Sequence, residues 1–178
     1  MSSVTQAEWA AVKLVACDVD GVLTDGTVIY GADGELAKAF FIRDGMGLRL
    51  LEEAGVRVAV ITSEDSPVVA ARVKRLMLSA YRPKMKRKGD ALAGLLAEFG
   101  ATAAQAVYVG DDVNDAEAFA LAGIPVAPAD AGSFALQRAR FVSRFPGGRG
   151  AVREVADLVL QAKGVDSAAL WARIHGKA

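Results

Sequence analysis

The chain has a single cysteine, Cys17, among 178 residues. That excludes an intramolecular disulfide and any cysteine-rich zinc site. Cys17 ends an apolar run, so the expectation is a buried, reduced thiol. A charge excess is lacking too: 21 Lys and Arg balance 21 Asp and Glu. With no positive surplus to neutralise phosphates, general nucleic-acid binding is excluded. Aromatic residues are only 7%, so platforms for stacking bases are scarce. No uninterrupted apolar run approaches the ~20 residues of a membrane span. The first stretch, with Gln6, Glu8 and Trp9, lacks the basic and then apolar pattern of a signal peptide. The expectation is a cytoplasmic protein that meets no membrane. Internal repeats, low-complexity tracts and Pro-rich linkers are also missing. Apolar residues are plentiful, at 53% against 24% charged. That balance excludes disorder, and the length favours one domain, residues 1–178, with an ample core.

Short apolar runs alternate with longer helical stretches. Residues 13–17 (KLVAC), 56–61 (VRVAVI) and 105–109 (QAVYV) read as buried strands of a parallel sheet. Residues 124–127 and 140–143 are shorter runs of the same kind, and 78–81 is a further candidate. Between them, helices are predicted over 45–54, 66–76, 88–99, 114–122 and 150–162. Glycines at 55, 100 and 123 stop three of them, and Ser66-Pro67 starts another. The stretch 165–174 places Leu170, Trp171 and Ile174 on an amphipathic pattern and predicts a docked tail helix within residues 164–178. Strand and helix in alternation mean an α/β sandwich with right-handed crossovers. One segment breaks the pattern. In residues 27–42 two extended runs flank Gly31-Ala32-Asp33-Gly34, which predicts a β-hairpin inserted after the first strand.

Two acidic clusters carry the chemistry. DVDGVLTD at 18–25 crowds three carboxylates at the end of the first strand. Open parallel sheets place ligands there, and carboxylates so close together need a cation such as Mg²⁺. GDDVND at 110–115 follows a later strand, so both clusters can converge on one ion. Asp112 or Asn114 could equally serve as a helix N-cap. Thr62 ends the second strand, where its hydroxyl can meet a phosphate oxygen or simply cap a turn. Lys88 opens a helix, where its charge opposes the helix dipole unless an anion is near. Lys84 and Lys86 are its rivals within a basic run that otherwise reads as a solvated face.

DxDGVLTD, a strand-end Thr, a Lys and GDDxND, in that order over residues 12–163, resemble the haloacid dehalogenase superfamily of phosphohydrolases. DGVLTDG, the hairpin and residues 147–154 (GGRGAVRE) look like its small capless sugar-acid phosphatases. Their substrates are 3-deoxy-D-manno-octulosonate 8-phosphate or nine-carbon KDN or N-acylneuraminate 9-phosphates. The resemblance implies a three-layer Rossmann-like fold without a cap domain, and an aspartyl-phosphate mechanism. Asp18 would be the nucleophile and Asp20 the acid and base. Thr62 and Lys88 would hold the phosphoryl oxygens. Mg²⁺ would sit on Asp18, the Asp20 carbonyl and Asp111, with Asp112 or Asp115 behind them. It also implies a homotetramer in which hairpins meet and neighbouring subunits close each site. After the Thr, octulosonate phosphatases usually carry Gly-Arg, whereas here Ser63 and Glu64 follow. Glu64, Arg72 and Arg75 look like the substrate-binding residues of the nine-carbon enzymes, although Arg72 and Arg75 also fit a solvated helix face. Two readings compete with a phosphatase: a non-catalytic module beside a sugar-nucleotide synthetase, and a phosphorylated receiver. The early position of the leading carboxylates disfavours the receiver.

Overall fold

The computed structural model describes residues 3–175. In chain order the elements are α1 (Gln6–Ala11), β1 (Leu14–Cys17), β2 (Ile29–Gly31), β3 (Gly34–Ala37), α2 (Ile42–Glu53), β4 (Arg57–Ile61), α3 (Pro67–Leu76) and β5 (Ala80–Arg82). They continue with α4 (Lys88–Glu98), β6 (Ala106–Val109), α5 (Ala116–Leu121), β7 (Ile124–Ala127), α6 (Ser133–Arg138), β8 (Phe141–Val142), α7 (Ala151–Ala162) and α8 (Ser167–His175). Six strands form one sheet in the order β5-β4-β1-β6-β7-β8, and every pairing is parallel. The chain runs outward from β1 through β4 to β5, then returns to β6 on the other side. β1 is therefore central, and its C-terminal end lies at the switch in strand order where such sheets bind ligands.

Alternation along the strands builds a core on both faces. Val15 and Cys17 face a layer that includes Trp9 of α1, Leu48 and Leu51 of α2, Val73 of α3 and Val155 and Val159 of α7. Leu14 and Ala16 face the other layer, with Leu92 and Leu95 of α4, Phe119 of α5 and Ala135 of α6. Leu92 and Leu95 are fully buried, and each such burial stabilises by about 1.5–3 kcal/mol. Cys17 is buried as a free thiol. Leu170 of α8 joins the first layer, while Trp171 stays partly exposed. The side chain of Ile174 lies outside the described residues.

Several boundaries differ from expectation. The hairpin pairs only Ile29–Gly31 with Gly34–Ala37. Beyond Ala37 the chain turns inward, Phe40 packs on the core, and Ile42 opens α2 three residues before the predicted start. The helix predicted at 114–122 begins as a 3₁₀ turn, Val113–Asp115, before α5. The strand expected at 78–81 is shifted to Ala80–Arg82. Helices α1 and α6 were not anticipated: at six residues each they are too short to show a 3.6-residue period.

Candidate active site

β1 ends at Cys17, and the next main-chain group, Asp18 N–H, donates to Val109 O at 2.9 Å. That bond carries the β1–β6 pairing to the edge of the sheet and aims Asp18 over it. The chain then coils tightly: the N–H groups of Val22, Leu23 and Thr24 all donate to Val19 O. Gly21 sits in this turn at φ +76°, and a Cβ there would lie 2.1 Å from Asp111 Oδ2. Only glycine lets the two acidic loops approach so closely. The GGRG segment closes on the same turn. Gly148 N–H donates to Val22 O at 2.9 Å, and a Cβ on Gly147 would meet Gly21 O at 1.9 Å.

Asp18, Asp111 and Asp115 offer carboxylate oxygens that all lie within 4.8 Å of one another. Their environments are unequal. Asp115 is fully buried and saturated. Its Oδ1 accepts from Lys88 Nζ (2.7 Å) and the Tyr108 hydroxyl (2.7 Å), and its Oδ2 from Asp111 N–H (2.9 Å) and Asp112 N–H (3.4 Å). It is a strut that shapes the loop and anchors Lys88. Asp112, by contrast, is exposed and caps the 3₁₀ turn by accepting from Val113 N–H at 2.8 Å. Of the three clustered carboxylates, Asp18 and Asp111 line the cavity and Asp115 does not, while Asp112 stands at its exposed rim. Burial, then the charge of Asp115, raises Asp18 from the ordinary 3.8 to about 6, against the pull of Lys88. Burial, then Asp18 and Asp115, raises Asp111 to about 7. Two largely desolvated carboxylates that resist ionising side by side are what a hard divalent cation relieves, so the residues present fit Mg²⁺.

Lys88 is completely buried beneath this cluster, with Nζ 2.5 Å from Asp18 Oδ2. Burial opposes its charge, but Asp18 and Asp115 outweigh that and raise its pKa. These two carboxylates offset the unfavourable placement of a cation in the first turn of α4. Lys84 and Lys86 lie at the surface, Lys84 paired with Asp65 at 2.6 Å. Thr62 follows β4 and is 2% exposed. Its Oγ1 accepts from Glu64 N–H at 3.2 Å, which leaves its proton available. The Asp20 side chain points to the same cavity and accepts from Lys38 Nζ at 2.5 Å.

A cavity of about 430 Å³ joins these groups, lined by Asp18, Asp20, Thr62, Glu64 and Asp111 among others. Arg72 and Arg75 are not brought to it. They open instead on a separate cavity with Met46, Met77 and Trp171, and the Arg72 guanidinium stacks on Phe40 at 5.6 Å. Tyr108 and Lys38 were not foreseen. Tyr108 sits in a strand that reads as purely apolar, although the neighbouring acids hint at a use for its hydroxyl. Lys38 stands in no recognisable spacing at all.

Residues 36–123 match the model of the haloacid dehalogenase-like hydrolases. The 3-deoxy-D-manno-octulosonate 8-phosphate phosphatase of Haemophilus influenzae is 41% identical over 156 residues, which is 88% of this chain and 87% of that protein. This chain belongs to the haloacid dehalogenase-like hydrolases. The crystal structure of the corresponding phosphatase from Yersinia pestis superposes with a TM-score of 0.86 at 40% identity, over 89% of this chain and 86% of that one. The enzyme of that name from Moraxella catarrhalis, in complex with magnesium, phosphate and KDO, superposes at 0.88 with 34% identity, over 95% and 97% of the two chains. As a haloacid dehalogenase-like hydrolase of this type, the chain is an enzyme that hydrolyses phosphate monoesters, with Mg²⁺ as its cofactor. The non-catalytic alternative is set aside. Among the described residues, no helix is long and apolar enough to cross a membrane.

Proposed function

We propose that this hydrolase cleaves 3-deoxy-D-manno-octulosonate 8-phosphate to the free sugar acid and inorganic phosphate. The observation that carries the reading is the meeting of Asp18, Asp20, Thr62 and Asp111 in one cavity over the central strand, with Lys88 buried behind Asp18. The eight-carbon substrate is preferred because relatives aligned over most of the chain carry that activity in their names. Glu64, exposed at the rim of the cavity, is placed to accept hydrogen bonds from sugar hydroxyls.

In this mechanism a carboxylate oxygen of Asp18 attacks phosphorus, and the bond from phosphorus to the sugar oxygen breaks. The carboxyl proton of Asp20 passes to that leaving oxygen. Water then attacks the phosphorus of the aspartyl phosphate and gives a proton to Asp20. The bond from phosphorus to Asp18 breaks, releasing phosphate and restoring both residues. Thr62 lines the cavity and holds a transferring oxygen, while Lys88, buried behind Asp18, supplies positive charge that steadies the attacking carboxylate rather than touching the phosphoryl group. Mg²⁺ held by Asp18, the Asp20 carbonyl and Asp111 would screen the repulsion between carboxylate and phosphate, with Asp115 and Asp112 shaping the loop behind.

Within one chain Arg72 and Arg75 line another cavity, away from the substrate site. We propose a homotetramer in which neighbouring copies close each site. Tyr30 and Leu36 of the hairpin, 73% and 67% exposed, supply an apolar surface for it. Light scattering on an active preparation checks this, and a fully active monomer would contradict it. The substrate is tested by comparing kcat/KM for octulosonate 8-phosphate, nonulosonate 9-phosphates and hexose phosphates. The first should lead, and hexose phosphates matching it would overturn the assignment. Asp18→Asn should keep the fold by circular dichroism and lose at least about 10³-fold in turnover, as expected when a nucleophile is removed.

A further inference from the structure

Lys38 lies at the end of the hairpin segment, one residue past its second strand and outside the acidic, Thr62 and Lys88 motifs, yet its side chain is only 1% exposed. Its ammonium lies 2.5 Å from Asp20 Oδ1 and 3.3 Å from Glu35 Oε2. Glu35 in turn accepts from the Ser66 hydroxyl, the N-cap of α3. One chain of polar contacts thus runs from the start of α3, through the hairpin, to the first catalytic loop. Burying a lysine costs desolvation and side-chain entropy. Hydrophobic residues would fasten a hairpin at less cost, so the charge at this point asks for a use.

Asp20 supplies it. Among the described residues, the Asp20 carboxylate takes no hydrogen bond except the one from Lys38. With Oδ1 held, Oδ2 is left to exchange a proton with the substrate. We infer that Lys38 is a positioning residue for proton transfer: it fixes the Asp20 carboxyl so that the other oxygen faces the leaving group. This inference rests on the proposed role of Asp20 as acid and base. The physical case is that proton transfer needs heavy atoms within about 2.6–3.2 Å, and a displacement of about 1 Å costs on the order of 10²-fold. A carboxylate one-third exposed on a loop does not hold such a position unaided.

The test uses the dependence on the leaving group. A sugar alkoxide needs a proton as it departs, whereas the phenolate of p-nitrophenyl phosphate does not. The readout is the ratio of kcat/KM for octulosonate 8-phosphate to that for p-nitrophenyl phosphate, measured with saturating Mg²⁺. Asp20→Asn should lower the ratio by about 10²-fold or more, the usual worth of a general acid. Lys38→Met should lower it by about tenfold, and Lys38→Arg should restore it to within about threefold of the parent. A purely structural role for Lys38 would depress both substrates alike and leave the ratio unchanged, and that result overturns the inference. If Lys38→Met does not fold, Lys38→Gln is read by the same ratio. An unchanged ratio in Asp20→Asn would instead remove the acid role of Asp20, and the inference with it.

Discussion

Asp111, Asp112 and Asp115 are one chemical type within five positions, yet burial and partners divide their work. Asp115 spends all its lone pairs on Lys88, Tyr108 and two main-chain N–H groups. Asp112 caps a turn at the surface. Asp111 remains poorly solvated, and burial, then the charges of Asp18 and Asp115, raises its pKa to about 7. Gly21 is the residue that makes Asp111 available. A side chain there would be strained at φ +76° and would strike Asp111 Oδ2. Gly21→Ala should therefore cost about 1–2 kcal/mol in stability and raise the Mg²⁺ concentration for half-maximal activity at least about tenfold. Denaturant unfolding and Mg²⁺ titration of turnover check the two effects. Both acidic clusters, Thr62 and Lys88 stood out in the sequence because each follows or opens a regular element. Lys38 did not, because its contact with Asp20 spans 18 positions and follows no period.

At the scale of elements, α2 and α7 are tied by a buried acid. Asp44 in the first turn of α2 accepts from Gly150 N–H at 3.2 Å and Arg153 N–H at 2.7 Å. It satisfies N–H groups at the start of α7, which have no partner within their own helix. Gly47 brings the helices close, since a Cβ there would lie 2.9 Å from that of Ala156. Asp44→Ala should leave buried donors unsatisfied and destabilise the chain by about 1–3 kcal/mol, measurable by urea denaturation. The main strands were legible from apolar runs and the longer helices from their caps. The end of β3 was not. Phe40, Phe41 and Ile42 look like a continuing strand, but Phe40 is drawn onto the core and Ile42 begins α2.

For the whole molecule, the clustering of acids predicts how stability responds to pH. Asp18 and Asp111 have folded-state pKa values of about 6 and about 7, above the ordinary 3.8. Between about pH 4 and 7 the folded chain keeps protons that the unfolded chain has shed. Without metal, stability should therefore fall as pH rises through that window. Mg²⁺ replaces those protons and should cancel the loss. The rise in Tm on adding Mg²⁺ is accordingly expected to be larger at pH 8 than at pH 5, as thermal unfolding with and without EDTA would reveal. An ion-induced shift that is equal at both pH values would contradict it.

The sequence by itself determined the class of the fold, the parallel strands, the hairpin turn and the family chemistry of its two acidic loops. These depend on local patterns: apolar runs, caps and short motifs whose spacing survives in one dimension. Tertiary structure alone decided which lysine reaches Asp18, which aspartate braces and which faces the cavity, and that Arg72 and Arg75 open elsewhere. It also decided that a hairpin lysine holds Asp20. The physical reason is burial. The pairing and pKa of a charged group follow from the neighbours that exclude water from it. Here those neighbours lie as far apart in the chain as Asp18 and Lys88, which only the crossing of strands brings to 2.5 Å.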